Sequence, residues 1–421
     1  MTVANTETSL NTAPLFQPLK IGSLTLKNRV VMSALTRNRS VHNTTPNEVN
    51  VEYYRQRARG GAGLIVTEGT LVSPQGSEWQ YAPGISTEEH VQGWRKVTDA
   101  VHKEGGLIFC QVWHLGRASH PDAAEQKKAG VPVYAPSAIS ARGGKFRFLE
   151  GAPGYQKPVE IDDPWKLINL FKQGAINAKA AGFDGVELHG ANGYLIHQFL
   201  DSSSNKRTDQ WGGSVENRAR FPLEALKVLA EVWGADRVAV KLSPSGGYND
   251  IGMPLEETLE TFRYFISEAD KLGLAYITLL RYVEASDPVI DGVKRATKHD
   301  VFESYRPYIK NAKLFANGGV SPEEGIKLVS EGKADAIAFG FLYVAHPDLA
   351  KRIHFGKPIQ PELTDVKHLY GRDGSVEDQI AGYTDYPSLP DEKSHGSCQC
   401  HGIKACASHV WTRVSSVFTS Q

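Results

Sequence analysis

Eight short, largely apolar runs, each leading into a helix-like stretch, constrain the fold of this chain more than any other feature. They occupy residues 29–35, 63–69, 107–113, 185–191, 238–244, 275–281, 313–319 and 336–342. The runs carry apolar residues at consecutive positions rather than at alternate ones, the mark of parallel strands covered on both sides. The helices between them open and close on ordinary signals. Ser86-Thr87-Glu88-Glu89 starts one in capping-box style and Gly105 ends it. Asp162-Asp163-Pro164, Ser214-Val215-Glu216-Asn217 and Met253-Pro254-Leu255 open the next three, which stop at Gly182, Gly234 and Gly273. Ser321-Pro322-Glu323 and Pro347-Asp348 open two more. Eight strand–helix units predict an α/β fold of the TIM-barrel type, (β/α)8. A doubly wound open sheet is the rival, but no Gly-rich dinucleotide turn follows the first run. The barrel should span 1–390 as one domain, with 118–158 as a lid insertion after the third strand and 391–421 as a polar C-terminal tail.

Charge excludes several partner classes. Lys+Arg and Asp+Glu both number 47, so the formal net charge is zero. No basic surplus points to nucleic acid or an anionic membrane surface. The polar first residues carry no secretory pattern, no stretch suits a membrane span, and four cysteines make no disulfide framework. The expectation is a cytoplasmic enzyme, monomer or homodimer, acting on a small molecule.

The chemistry concentrates just past the fourth run, in Leu188-His189-Gly190-Ala191-Asn192-Gly193-Tyr194-Leu195. Strand alternation puts Glu187, His189 and Ala191 on one face, and Asn192 and Tyr194 follow around the same opening. The C-terminal ends of barrel strands are where such folds place their active sites. His189 and Asn192 can donate to a polar oxygen, and Tyr194 can release a proton. A buried histidine satisfied by a carbonyl, with a core tyrosine beside it, is the plainer alternative. The turn is expected to open directly onto a long amphipathic helix.

Several separate motifs closely resemble the old yellow enzymes, flavin-dependent ene-reductases that include the plant oxophytodienoate reductases. They are Asn28-Arg29-Val30-Val31-Met32 with Leu35-Thr36-Arg37, Val66-Thr67-Glu68-Gly69, Ala82-Pro83-Gly84, Gln111-Val112-Trp113-His114-Leu115-Gly116-Arg117, the His189–Tyr194 turn, and Gly382-Tyr383-Thr384-Asp385-Tyr386-Pro387. The resemblance implies FMN at the barrel mouth and NAD(P)H as reductant. It implies Ala34, Leu35, Thr36, Gly69, Gln111, Lys241, Gly318, Gly319, Gly340 and Phe341 as the cofactor-binding positions. Within that set, Thr36 would donate to the flavin O4, Gln111 would meet the pyrimidine edge and Gly69 would leave space for the ring. The glycines after the seventh and eighth runs would cradle the phosphate. Helix capping by Thr36 and plain turn chemistry at the glycines are the alternatives. His189 and Asn192 would hold the carbonyl oxygen of an activated alkene, and Tyr194 would protonate its α-carbon. Trp79, Trp113 and Tyr370 are candidate pocket walls, or ordinary packing. Two positions depart from the family pattern: Lys241 and Phe341 stand where arginine is usual. Lysine keeps the charge but loses the planar fork, and Phe341 removes a charge-assisted phosphate contact, so FMN should be held less tightly.

Three other classes of activity draw on residues of this chain. A Schiff-base aldolase would use Lys241 but leaves the His–Asn–Tyr group idle. A retaining glycosidase would need paired carboxylates, for which Glu68 and Glu187 are available. A related flavin-dependent dehydrogenase or demethylase would want an iron–sulfur motif, whereas the clustered cysteines come late. Cys398, Cys400, His401, Cys406 and His409 could supply zinc ligands, but their spacing fits no zinc pattern and reduced tail thiols are expected instead, with no metal.

Overall fold

The computed structural model describes residues 11–144, 146 and 148–390. Eight parallel strands follow the expected runs: β1 (Val30–Met32), β2 (Leu64–Val66), β3 (Ile108–Trp113), β4 (Gly185–Gly190), β5 (Val238–Leu242), β6 (Tyr276–Leu280), β7 (Lys313–Asn317) and β8 (Ala336–Phe339). Each pairs with the next, and β8 pairs with β1, so the sheet closes into a barrel. The strands are shorter than their runs because the final residues leave the ladder at the C-terminal ends. Those residues, Ser33–Thr36 and Gly318–Gly319 among them, build the mouth.

The outer helices are α1 (Glu48–Arg59), α2 (Glu88–Lys103), α3 (Trp165–Ala180), α4 (Val215–Trp233), α5 (Leu255–Lys271), α6 (Val301–Tyr305), α7 (Pro322–Ser330) and α8 (Leu349–His354). Thr87 caps α2, and His90 rather than an acidic residue completes its capping box.

The interior changes character along the barrel axis. At the N-terminal end, Tyr276 lies between Phe315, stacked at 4.2 Å, and Phe109 at 5.6 Å. Leu19, Ile21 and Leu26 of an N-terminal hairpin belong to the same apolar cluster and close that end. Toward the mouth the inward side chains become polar: Gln111, Glu187, Lys241 and Thr278, all buried. Buried polar groups must be paired, and these meet one another.

One expectation needs correction. The turn after β4 does not open onto a long amphipathic helix. It enters a six-residue helix, Leu195–Leu200, in which every residue is buried. A loop through 201–214 then intervenes, and the long amphipathic helix is α4. The segment 118–158 carries structure of its own. It contains a helix (Ala124–Ala129), and Tyr134–Ala135 pairs in parallel with Val159–Glu160. Arg207 fastens it by donating to Pro136 O and Ile161 O. The tail with its three cysteines lies outside the described residues. Among the described residues no helix is long and apolar enough to cross a membrane, and no cluster of acidic, His and Cys side chains suits a metal.

Candidate active site

The turn after β4 is held by its backbone, leaving its side chains for chemistry. The Asn192 N–H donates to Ser243 Oγ at 2.8 Å, and its carbonyl accepts from Asn249 Nδ2 at 2.8 Å. Asn192 sits at φ 59°, a left-handed conformation that asparagine tolerates better than most residues. Gly193, at φ 68°, packs so closely that a Cβ would come within 2.6 Å of the Tyr248 carbonyl. The Gly193 N–H reaches His197 Nδ1.

His189 is buried, and its Nδ1 accepts the Ala191 N–H at 3.3 Å. That bond places the ring proton on Nε2, which makes Nε2 a donor. Burial, with Lys241 and His197 nearby, holds its pKa well below the ordinary histidine range, so the imidazole is neutral. Tyr194 packs edge-on against His189 and Trp113, each at 5.0 Å. Its hydroxyl pKa is raised well above 10, chiefly by burial and then by neighbouring Tyr248 and Tyr155. The phenol therefore keeps its proton at neutral pH.

Beneath the turn, Gln111 donates from Nε2 to Glu187 Oε1 at 2.8 Å, and Thr278 donates to Glu187 Oε2. The Gln111 amide is thus already partnered within the protein. Lys241 is in register with His189 on the neighbouring strand and donates to Ser33 Oγ at 3.1 Å. Burial lowers the Lys241 pKa and raises that of Glu187; each is the counter-charge that opposes the other's shift. Ala34, Leu35 and Thr36 are half-buried where β1 leaves the sheet. Thr36 caps no helix; Asn47 caps α1. Two backbone N–H groups next to Thr36, those of Arg37 and Asn38, donate to buried Glu68 Oε2. The Arg37 guanidinium reaches Leu369 O, Gly382 O and Tyr53 Oη. Glu68 therefore shapes the β1 loop. Gly69 is packed against a wall: a Cβ there would lie 2.5 Å from the Trp113 indole, so the space it yields is taken by Trp113.

Gly318 and Gly319 follow β7 at φ 105° and 69°. Gly340 follows β8, in contact range of Leu35, and Phe341 is half-buried at the start of a short helix, Leu342–Ala345. The N–H groups of Gly319 and Val320 find no backbone acceptor among the described residues.

Above the turn is a cavity lined by Glu78, Trp79, Tyr155, Tyr194, Tyr248 and Asn249, with lid residues Arg142 and Phe146. Trp79, Trp113 and Tyr194 share an apolar cluster, and Tyr370 packs on Trp79 at 4.8 Å. Sequence reasoning missed the loop after β5. Arg142 of the lid binds Asp250 through its N–H and guanidinium, and Tyr155 donates to Asn249 Oδ1. Since Asn249 also holds Asn192, the lid and the turn after β4 meet on this loop. Its only signal was a polar Gly246-Gly247-Tyr248-Asn249-Asp250 run at a strand's C-terminal end.

Residues 14–360 match the model of the NADH:flavin oxidoreductase / NADH oxidase family. The chain belongs to that family. It is 36% identical over 402 residues to 12-oxophytodienoate reductase 7 of Oryza sativa subsp. japonica, covering 91% of this chain and 96% of that one. It is 37% identical over 381 residues to a probable flavin mononucleotide-dependent alkene reductase of Leishmania infantum, covering 89% and 97%. An old yellow enzyme homologue from Zymomonas mobilis superposes with a TM-score of 0.80 at 33% identity, covering 89% of this chain and 99% of that one. Morphinone reductase in complex with tetrahydroNAD gives 0.79 at 37%, covering 90% and 99%.

The residues present fit the cofactor of a flavin oxidoreductase family. The N–H pair at Gly319 and Val320 suits a phosphate, and the polar floor around Gln111 and Lys241 suits a ring edge of acceptors and donors. The competing chemistries fit poorly. Lys241 points into the barrel toward Ser33 and Glu187, and neither Glu68 nor Glu187 lines the cavity.

Proposed function

We propose that this protein is an FMN-dependent ene-reductase that reduces activated alkenes at the expense of NAD(P)H, working in the cytoplasm. The observation that carries the reading is the grouping of three residues on one turn: the neutral, donating His189, Asn192 on a fixed backbone, and the protonated Tyr194, which packs against His189 and lines the cavity. When bound, FMN supplies hydride chemistry, accepting from NAD(P)H and giving to the substrate β-carbon.

The chain's own residues do the rest. His189 Nε2–H and the Asn192 amide hold the carbonyl oxygen and stabilise the negative charge that grows there. Tyr194 delivers its proton to the α-carbon. Trp79, Trp113 and Tyr370 line or back an apolar enclosure that limits water. The Lys241 charge sits on the floor, where it would favour an electron-rich ring.

Anaerobic titration tests the reading. The purified protein should carry flavin absorbance that NADH or NADPH bleaches and that enones, nitroalkenes or maleimides restore. Failure to bind added FMN, or restoration by oxygen alone, would sink it. One departure from the family has its own consequence. Phe341→Arg should lower the FMN dissociation constant about tenfold, the worth of one charge-assisted hydrogen bond. Fluorescence titration of the apoprotein measures this, and an unchanged constant would show that Phe341 costs no FMN affinity.

A further inference from the structure

One cation at the mouth has no part in the chemistry above. Arg281 follows β6 directly, and its guanidinium is bound on several sides. Nε donates to Gly318 O at 2.8 Å and Nη2 to Gly319 O at 3.1 Å. Nη1 and Nη2 also meet Glu324 of α7, at 2.5 and 2.8 Å. The stem is part of the fit, since a Cβ on Gly318 would lie 2.9 Å from Arg281 Cγ.

Peptide planarity makes these contacts directional. In a trans peptide the N–H points opposite to its carbonyl. With the Gly318 and Gly319 carbonyls turned to Arg281, the Gly319 and Val320 N–H groups point away from it. Both N–H groups lack a backbone acceptor among the described residues. Gly318 and Gly319 both have positive φ, which glycine adopts without strain. A flexible Gly-Gly turn would not keep those N–H groups so directed unaided. An exposed ion pair between Arg281 and Glu324 would by itself contribute little; the carbonyl bonds are what set this arginine apart.

We propose that Arg281 is the positioning residue of the phosphate cradle. Held by Glu324, it fixes the Gly318–Gly319 turn with its N–H groups presented to the FMN phosphate, and so offsets from β6 the contact that Phe341 does not make from β8. The inference rests on the FMN reading.

Flavin binding to the apoprotein tests it without relying on turnover. FMN and riboflavin share the ring and differ in the phosphate, so their affinity ratio isolates the cradle. Arg281→Met keeps most of the stem and removes the fork; it should weaken FMN about tenfold or more while leaving riboflavin within about twofold. Arg281→Lys keeps the charge but cannot hold two carbonyls and a carboxylate in one plane, so it should also weaken FMN several-fold. Equal losses for FMN and riboflavin in Arg281→Met would overturn the proposal by making the residue a general support of the fold. Full FMN affinity in Arg281→Lys would overturn it in favour of charge alone, and full affinity in Arg281→Met would leave it no role. Failure of the wild-type apoprotein to bind either flavin would instead fell the FMN reading itself.

Discussion

Tyr194→Phe is expected to slow reoxidation of the reduced enzyme by an enone between about 10²- and 10⁴-fold, the range of a positioned general acid. Reduction by NAD(P)H should stay within a few-fold of wild type, because that half of the cycle needs no proton from the phenol. The variant should fold normally: the ring fills the same edge-on contacts with His189 and Trp113, and only the hydroxyl is lost. The pH dependence has a definite sign. The hydroxyl pKa is raised, and the donor is active only when protonated, so wild-type reoxidation should be level through neutral pH and fall only in strong alkali. His189 adds no acid limb near neutrality, because its pKa is lowered and the donating neutral form persists. Single-turnover kinetics of the two half-reactions would check all of this. Loss of NAD(P)H-dependent reduction with intact enone reoxidation would remove Tyr194 from the proton-donor role.

The barrel was legible because strands buried on both faces leave unbroken apolar runs, and its site because barrel strands end at the mouth. What escaped reading was set by contacts between distant segments. Arg142 and Asp250 are 108 residues apart, and Asn249 reaches back 57 residues to Asn192; neither pair leaves a local pattern. Arg37 and Arg39 look like surface charges in sequence but are fully buried on carbonyls of the C-terminal segment, beneath Tyr383. The turn does not lead into a long amphipathic helix because Leu195–Leu200 is buried on every side, His197 and Gln198 included, so its residue types do not report its short length. Gly69 illustrates a subtler limit. A glycine at a mouth reads as room for a ligand, yet which ring fills that room, a cofactor's or Trp113's, depends on a side chain 44 positions on.

The second large effect is expected at the oxygen-holding pair. His189→Leu and Asn192→Gly should each lower the rate constant for enone reoxidation about 10²- to 10³-fold, the loss typical of one donor aimed at a developing oxyanion. Glycine is chosen at 192 because it accepts φ 59° without strain and retains the backbone bonds to Ser243 and Asn249. The two losses should not add. Both donors serve one oxygen, so removing the second after the first costs less than removing it alone. The effect should also scale with the substrate: the pair acts by drawing charge onto the oxygen, so an alkene already strongly polarised, such as a nitroalkene or maleimide, should lose less than a simple enone. NAD(P)H-dependent reduction should suffer a smaller, binding-type loss, since no negative charge grows on the nicotinamide as it gives up hydride. A double variant whose loss equals the product of the single losses, and is uniform across the alkene series, would show that His189 and Asn192 act on different groups rather than jointly on the substrate oxygen.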